Sequence, residues 1–110
     1  MNVTVKEYLD PAGRSPYARW FDDLHAPAAA KVATALYRLE LGNFSNVKSV
    51  GSGVYECTID FGPGYRIYFG KEGESLIILL GGSSKKDQWA AIAAAKKAWA
   101  VYKGAKFGTN

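Results

Sequence analysis

The spacing of hydrophobic residues changes partway along the chain, from the three-and-four pattern of helices to the alternation typical of strands. In the first part, Ser15 and Pro16 mark the start of a helix, because serine caps helix N-termini and proline is tolerated in the first turn. A second helix is predicted from Pro27 to Gly42. The predicted buried faces are Tyr17, Trp20, Phe21 and Leu24 in the first helix, and Val32, Ala35, Leu36 and Leu39 in the second. The short connection between the two helices predicts a helical hairpin.

Strands account for most of the remaining chain. Val3 and Val5 indicate a short strand before the hairpin, and four more strands are predicted at residues 47–50, 54–61, 65–69 and 76–80. The run Leu76–Leu80 has no polar alternation, which is typical of a central strand covered on both faces. An alanine-rich helix follows from about Lys85 to Tyr102. This order predicts an α+β fold in one domain spanning residues 1–110, with an antiparallel sheet of three to five strands and a C-terminal helix.

The composition is that of an ordinary globular protein, with 48% hydrophobic and 14% aromatic residues among 110. No apolar stretch approaches the ~20 residues of a membrane-spanning helix, and the N-terminus lacks the pattern of a signal peptide. Because Cys57 is the only cysteine, an intramolecular disulfide is excluded, and we expect a cytoplasmic protein with no membrane partner. We expect one shared core, made of Tyr17, Trp20, Phe21, Leu36, Leu39, Tyr55, Ile59, Ile67, Phe69, Ile78, Leu80, Ile92 and Trp99.

The net charge of +4 comes entirely from the last quarter of the chain. Residues 1–84 contain eight Lys or Arg and nine Asp or Glu, whereas residues 85–110 contain six lysines and one acidic residue. At roughly 100° per residue, the predicted helix groups Trp89 with five lysines: Lys85, Lys86, Lys96, Lys97 and Lys103. Lysines around an aromatic ring can hold a nucleic-acid backbone while the ring stacks on a base. A solvated lysine face, with Trp89 anchoring the start of the helix, explains the same pattern.

Alternation along the predicted hairpin at residues 54–69 places several polar residues on the face opposite the core residues. These are Glu56, Thr58 and Asp60 on one strand and Arg66 and Tyr68 on the next. A turn at residues 62–64 predicts that Arg66 lies opposite Asp60 and that Tyr68 lies opposite Thr58. The forked guanidinium of Arg66 suits phosphate binding, whereas a cross-strand ion pair with Asp60 explains it as a purely structural residue.

The sequence has one cysteine and one histidine, so a cysteine–histidine catalytic pair could be formed only by Cys57 and His25. Alternation places Cys57 on the apolar side of its strand, where thiols are usually unreactive core residues. His25 lies between the two predicted helices, which favours a surface or capping role. The pattern therefore favours structural roles for both residues.

Three segments taken together, Leu39–Glu56, Phe61–Phe69 and Leu80–Gly82, resemble the addiction-module killer proteins, a HigB-like branch of the RelE/ParE toxin superfamily. The resemblance covers the whole chain in element order and length, and it is most specific over residues 39–82. It implies the toxin component of a type II toxin–antitoxin module, which a helix-turn-helix antitoxin neutralises.

Many members of this superfamily cut messenger RNA in the ribosomal A site without a metal, so the resemblance implies an endoribonuclease that needs no cofactor. Arg66 matches the arginine of the family's Gly-Tyr-Arg segment, which contacts the phosphate, and Lys85 and Lys86 fall near basic residues after the last strand. Glu56 or Tyr68 would support the reaction. The lysines grouped with Trp89 on the last helix, rather than the resemblance, predict an RNA-binding surface that comprises Lys96, Lys97, Trp89 and Lys103.

The sequence departs from the RelE-type nucleases on the strand before the turn. It has Glu56 and Thr58 where those enzymes carry basic residues. A ParE-like toxin instead inhibits DNA gyrase, or another target, by binding without nuclease chemistry. The resemblance therefore leaves a ribonuclease and a non-enzymatic inhibitor as two alternatives.

Overall fold

A computed structural model describes residues 2–106. In chain order, its elements are β1 (Thr4–Glu7), α1 (Pro16–Asp22), α2 (Ala26–Glu40), β2 (Val47–Gly51), β3 (Val54–Ile59), β4 (Tyr65–Glu72), β5 (Leu76–Ser84) and α3 (Gln88–Lys106). A single turn of 3-10 helix, Lys85–Asp87, joins β5 to α3. The predicted α+β element order is confirmed. Strand β5 continues past its predicted end at Leu80, and the last helix is α-helical only from Gln88.

A side-chain cap precedes each of the first two helices. Ser15 Oγ accepts a hydrogen bond from the backbone N–H of Ala18 (3.0 Å), and His25 Nδ1 does the same for Ala28 (3.3 Å). As a result, α2 begins one residue before Pro27. Each cap satisfies a backbone donor that has no partner within its helix. The predicted N-cap at Ser15 is confirmed, and of the two roles left open for His25, surface residue or cap, the structure shows the cap.

The five strands form one mixed sheet in the order β1-β5-β4-β3-β2. The pairs β2–β3, β3–β4 and β4–β5 are antiparallel. Strand β1, in contrast, pairs in parallel with β5, with Val5 opposite Ile77. The prediction of a purely antiparallel sheet is therefore wrong for β1. Alternation reports which face a side chain occupies but not the direction of the partner strand, so the sequence pattern could not reveal this pairing.

Helices cover both faces of the sheet, so the protein has two hydrophobic clusters and the predicted single core is wrong. The hairpin of α1 and α2 packs against one face, which includes Ile67 and Phe69. Helix α3 packs against the other face, which includes Tyr68 and Ile78. Residues 77–80 of β5 are all buried, as predicted for a strand covered on both sides. No helix within residues 2–106 has the length and apolarity needed to cross a bilayer.

Two glycines allow tryptophan rings to lie directly on the sheet. A Cβ atom at Gly82 would overlap the six-membered ring of Trp20, which packs from α1. A Cβ atom at Gly70 would overlap the corresponding ring of Trp99, which packs from α3 on the opposite face. Both sites therefore require a residue without a side chain, because the ring occupies the position of the first side-chain atom.

We expect Gly82→Ala to lower the free energy of unfolding by about 1–3 kcal/mol, because the added methyl group displaces the Trp20 ring from a packed position. Gly81→Ala is the matched control, since no atom lies within 4 Å of its Cβ position. The control should be neutral or slightly stabilising. Urea unfolding of both variants measures the difference, and equal stability of the two would show that Trp20 is free to move aside.

Candidate functional site

A cluster of polar side chains lies between the sheet and the start of α3. It comprises Glu56 from β3, Arg66 and Tyr68 from β4, Ser83 from β5 and Gln88 from α3; we call it the Glu56 cluster. Alternation along β3 and β4 directs the side chains of Glu56, Arg66 and Tyr68 to the same face of the sheet, as predicted. This face was predicted to lie away from the core, but α3 covers it. Glu56 and Tyr68 are consequently fully buried.

The register of the hairpin differs from the prediction by two residues. Arg66 lies opposite Thr58, and Tyr68 lies opposite Glu56. Strand β3 ends at Ile59, so the connection to β4 is the five-residue loop 60–64 and not a three-residue turn. The exposed Asp60 forms no ion pair with Arg66, which contradicts the predicted Arg66–Asp60 pairing. The length of the loop sets the register, and apolar spacing alone does not report that length.

Glu56 is surrounded by one hydrogen-bond donor and two cations. Gln88 Nε2 donates to Glu56 Oε2 at 2.7 Å. Arg66 Nε lies 3.7 Å from the same oxygen, and Lys48 Nζ lies 3.6 Å from Oε1. Neither Glu56 Oε1 nor Arg66 Nε has a hydrogen-bond partner. Because a buried carboxylate without compensation is strongly unfavourable, these three neighbours are what make its burial tolerable.

Tyr68 completes the buried side of the cluster. Its hydroxyl lies 3.1 Å from Ser83 Oγ, and its side chain has no exposed surface. Burial raises the pKa of Tyr68 to about 12; the Ser83 hydrogen bond and Arg66 lower it, whereas Glu56 raises it further. Tyr68 is therefore a neutral phenol at physiological pH. It can donate a hydrogen bond within the cluster but does not reach solvent.

Arg66 connects the buried cluster to the surface. Its Nε is buried, and 12% of its side chain is exposed. Its Nη1 lies beside Gly64, 3.2 Å from the position of a Cβ there, and Lys85 packs against the same glycine. The backbone N–H of Lys85 donates to the carbonyl oxygen of Gly64 (3.0 Å). The guanidinium therefore lies within ion-pair distance of a buried carboxylate at Nε and beside a lysine-containing turn at Nη1, an arrangement suited to binding an oxyanion.

The five lysines that were predicted to lie together on the last helix fall into two groups in the structure. Lys85 and Lys86 are exposed in the 3-10 turn, before α3 begins. Farther along, Lys96 packs against Gly51, Lys97 is exposed, and Lys103 Nζ lies 5.5 Å from the centroid of the Trp99 ring. At about 1.5 Å per residue, Lys103 is about 22 Å along the helix from Gln88, too far to act at Arg66.

Trp89 is 85% exposed at the start of α3. The interpretation that it anchors this end of the helix is therefore wrong, since an anchoring ring would be buried. It lies next in sequence to Gln88, which contacts Glu56, so a large aromatic surface is presented beside the cluster. Such a ring is available for stacking on a base or for packing against a partner.

Two residues of the cluster, Ser83 and Gln88, escaped the sequence analysis, and so did Lys48, the neighbouring cation of Glu56. The predicted end of β5 at Leu80 left Ser83 in a loop, whereas the strand continues through it. A β-bulge between Tyr68 and Phe69 then turns Ser83 to the same face as Arg66, its pairing partner. The alanine-rich face of the last helix was a usable signal for Gln88, because it indicates close packing of that helix on the sheet.

Cys57 and His25 remain structural. Cys57 is buried against the α2 side of the sheet, where burial, and secondarily the charge of Glu56, raise its pKa to about 11. The thiol is therefore protonated at physiological pH, and His25 uses Nδ1 to cap α2. Within residues 2–106, no three His, Cys, Asp or Glu side chains form a group suited to a metal ion.

The fold and site define an α+β protein with a mixed five-stranded sheet and a buried polar cluster beneath its C-terminal helix. No family model matches the sequence. An uncharacterized protein of Haemophilus influenzae is 44% identical over 89 residues, which cover 80% of this chain and 84% of that protein. The chain belongs to the same family as this H. influenzae protein.

We expect Gln88→Leu to lower the free energy of unfolding by about 1.5–3 kcal/mol, because it removes the hydrogen bond to a buried carboxylate. Lys86→Gln, an exposed substitution two residues earlier, is the control and should change stability by less than about 0.5 kcal/mol. Denaturant unfolding measures both values. A neutral Gln88→Leu variant would mean that water or another side chain replaces the lost donor.

Proposed function

We propose that this protein is the toxin component of a type II toxin–antitoxin module and that it acts in the cytoplasm as a metal-independent, ribosome-dependent mRNA endoribonuclease. The observation that carries the proposal is Arg66, which is held by a fully buried carboxylate and extends toward an exposed lysine-containing turn. The resemblance of residues 39–82 to the killer proteins supplies the class of protein. The geometry at Arg66 supplies a site for the scissile phosphate.

The proposed reaction is attack of a ribose 2′-hydroxyl on the adjacent phosphate, with breakage of the bond from phosphorus to the 5′ oxygen. The 2′-hydroxyl gives its proton to water and the departing 5′ oxygen takes one from water, so the products are a 2′,3′-cyclic phosphate and a 5′-hydroxyl. Negative charge accumulates on the non-bridging phosphate oxygens during this step, and a fixed guanidinium stabilises it. Arg66 would contact these oxygens, with Lys85 and Lys86 adding positive potential nearby. Because Glu56 and Tyr68 are fully buried, we assign them as positioning residues that hold Arg66.

The exposed surface beside Arg66 suits the other proposed contacts. Trp89 would stack on a base, and Lys96, Lys97 and Lys103 would follow the RNA or ribosomal backbone along α3. A helix-turn-helix antitoxin with an acidic segment would neutralise the toxin by covering this same surface. One basic surface would then serve both the target and the antitoxin.

A second candidate function is ParE-like inhibition of DNA gyrase, or of another protein, without catalysis. Two observations favour it over a nuclease. The positions that carry basic residues in RelE-type nucleases are here the buried Glu56 and the half-buried Thr58. In addition, an exposed tryptophan such as Trp89 is typical of the residues that dominate protein–protein binding energy.

We expect Arg66→Lys to abolish growth inhibition after induced expression and to reduce transcript cleavage by about 100-fold or more. Lysine keeps the positive charge beside Glu56 but loses the forked geometry that binds phosphate. Arg66→Ala should abolish toxicity too, although it removes a neighbour of a buried carboxylate and lowers stability. Mapping of the 5′ ends of cellular transcripts measures cleavage, and Arg19→Lys, an exposed change on α1, is the control.

The outcomes separate the two functions. Full toxicity of a folded Arg66→Lys variant would contradict a phosphate-binding role for Arg66. If the wild-type protein inhibits growth without new transcript ends but blocks supercoiling by purified gyrase, the second candidate function is correct and the ribonuclease proposal is wrong.

A triple variant, Lys85→Gln/Lys86→Gln/Lys96→Gln, should weaken binding to ribosomes or RNA and flatten its salt dependence. Each lost phosphate contact reduces the logarithmic slope by about one unit. The control replaces the exposed Lys6, Arg14 and Arg19 with Gln, which changes the net charge equally. Filter binding from low to high salt measures both slopes. Equal slopes in the two variants would identify the α3 lysines as an ordinary solvated face.

A further inference from the structure

Lys48 lies on the edge strand β2, beside the Glu56 cluster. It pairs directly with Glu56 in the β2–β3 ladder, so its side chain projects from the same face of the sheet, the face that α3 covers. Its Nζ lies 3.6 Å from Glu56 Oε1, and 65% of its side chain is exposed. Lys48 is therefore a cation that is accessible to solvent and is held against a buried carboxylate.

Lys48 and Arg66 approach different oxygens of this carboxylate. Lys48 Nζ faces Oε1, whereas Arg66 Nε lies 3.7 Å from Oε2. Both separations allow strong attraction between the charges, but they are too long for hydrogen bonds. Within residues 2–106, neither the ammonium nor the guanidinium donates a hydrogen bond to another protein group. The carboxylate of Glu56 therefore holds two cations in place and leaves their N–H donors available to a ligand.

The two cations provide more positive charge than Glu56 needs for neutralisation. One cation balances the carboxylate, and Gln88 adds a neutral donor to Oε2 at 2.7 Å. Among residues 2–106, no other acidic side chain forms an ion pair with Lys48 or Arg66. The second positive charge is thus a surplus. A surplus charge with free N–H donors is the chemistry that binds phosphate oxygens.

A second lysine reaches the same edge of the sheet from α3. Lys96 Nζ lies 3.3 Å from the position of a Cβ at Gly51, the last residue of β2. Gly51 comes three residues after Lys48, which is about 10 Å along a strand. Cations therefore follow one another from Arg66 on β4, through Lys48, to Lys96. No strand covers the outer side of β2, so a ligand can approach the two lysines from solvent.

We propose that Lys48 binds the phosphate adjacent to the scissile phosphate at Arg66, in a single-stranded RNA that runs from Arg66 past the start of α3 to the β2 edge; this proposal rests on the proposed ribonuclease function. The carboxylate between the two cations repels phosphate, so each cation binds a separate phosphate of the chain. Lys96 contacts the phosphate that follows. Lys48 is a binding residue, since its phosphate does not react, and the contact orients the phosphate that does.

Binding of modified trinucleotides to the full-length protein tests this assignment. A trinucleotide contains two phosphates, 2′-O-methylation of its sugars prevents cleavage, and randomised bases remove any dependence on sequence. The probes are the form with both phosphates and two forms in which one phosphate or the other is replaced by an uncharged methylphosphonate. We expect wild-type protein to bind each substituted form about tenfold more weakly, the effect of losing one charged contact. Fluorescence anisotropy of end-labelled probes measures the dissociation constants.

Lys48→Gln should weaken binding of the form with both phosphates by about tenfold and should abolish the effect of one methylphosphonate but not of the other. The effect that remains belongs to the phosphate at Arg66. Lys48→Arg should keep both effects, because it retains the positive charge. Lys6→Gln changes an exposed lysine on β1, the opposite edge strand, and should behave like the wild type. If Lys48 acted only by supporting Glu56, all three probes would instead bind Lys48→Gln more weakly by the same factor.

Loss of Lys48 leaves the buried Glu56 with one cation, so a second comparison guards against a variant that does not fold. The double variant Glu56→Gln/Lys48→Gln is compared with Glu56→Gln, and neither contains the buried charge. We expect the double variant to lose the effect of the same methylphosphonate. Urea unfolding of every variant verifies that it is folded.

The outcomes separate the Lys48 site from the proposed function. If replacing Lys48 leaves the response to both methylphosphonates as it is in the matched background, the Lys48 site is wrong and phosphate binding at Arg66 stands. If neither methylphosphonate weakens binding to the wild type, or if no probe binds at all, the phosphate contacts are absent and both proposals are wrong.

Discussion

The Glu56 carboxylate is buried beneath α3, and such a group is tolerated only where donors and cations surround it. Its three neighbours come from three other elements: Lys48 from β2, Arg66 from β4 and Gln88 from α3. One side chain on β3 thus constrains the start of the last helix relative to two strands. The same contacts fix the position of Arg66, so the geometry of the candidate site and the docking of α3 depend on one interaction.

Close packing at the two tryptophans keeps the layers in place around this interaction. Trp20 lies over Gly82 on one face of the sheet, and Trp99 lies over Gly70 on the other. A helix that packs this closely against a sheet has little freedom to slide along it. Because Trp99 fixes the C-terminal half of α3 and Gln88 fixes its beginning, the helix is held at both ends over the polar cluster.

Features that depend on neighbouring residues could be predicted from the sequence. The caps at Ser15 and His25, the order of elements and the shared face of Glu56 and Arg66 all follow from local spacing and residue type. Features that depend on distant packing could not. The parallel pairing of β1, the two-residue difference in register and the contact of Gln88 with Glu56 arise from strand partners, loop length and helix docking, none of which leaves a periodic signal.

The pairing of β1 with β5 also determines the order in which a newly synthesised chain can fold. Thr4 lies opposite Leu76, so β1 has no partner until residues 4–76 have left the ribosome. Contacts this distant in sequence form late and slowly. Gln88 follows β5, and it supplies the donor to Glu56. The polar cluster is therefore among the last parts to assemble, and a nascent chain lacks it until the α3 segment has emerged.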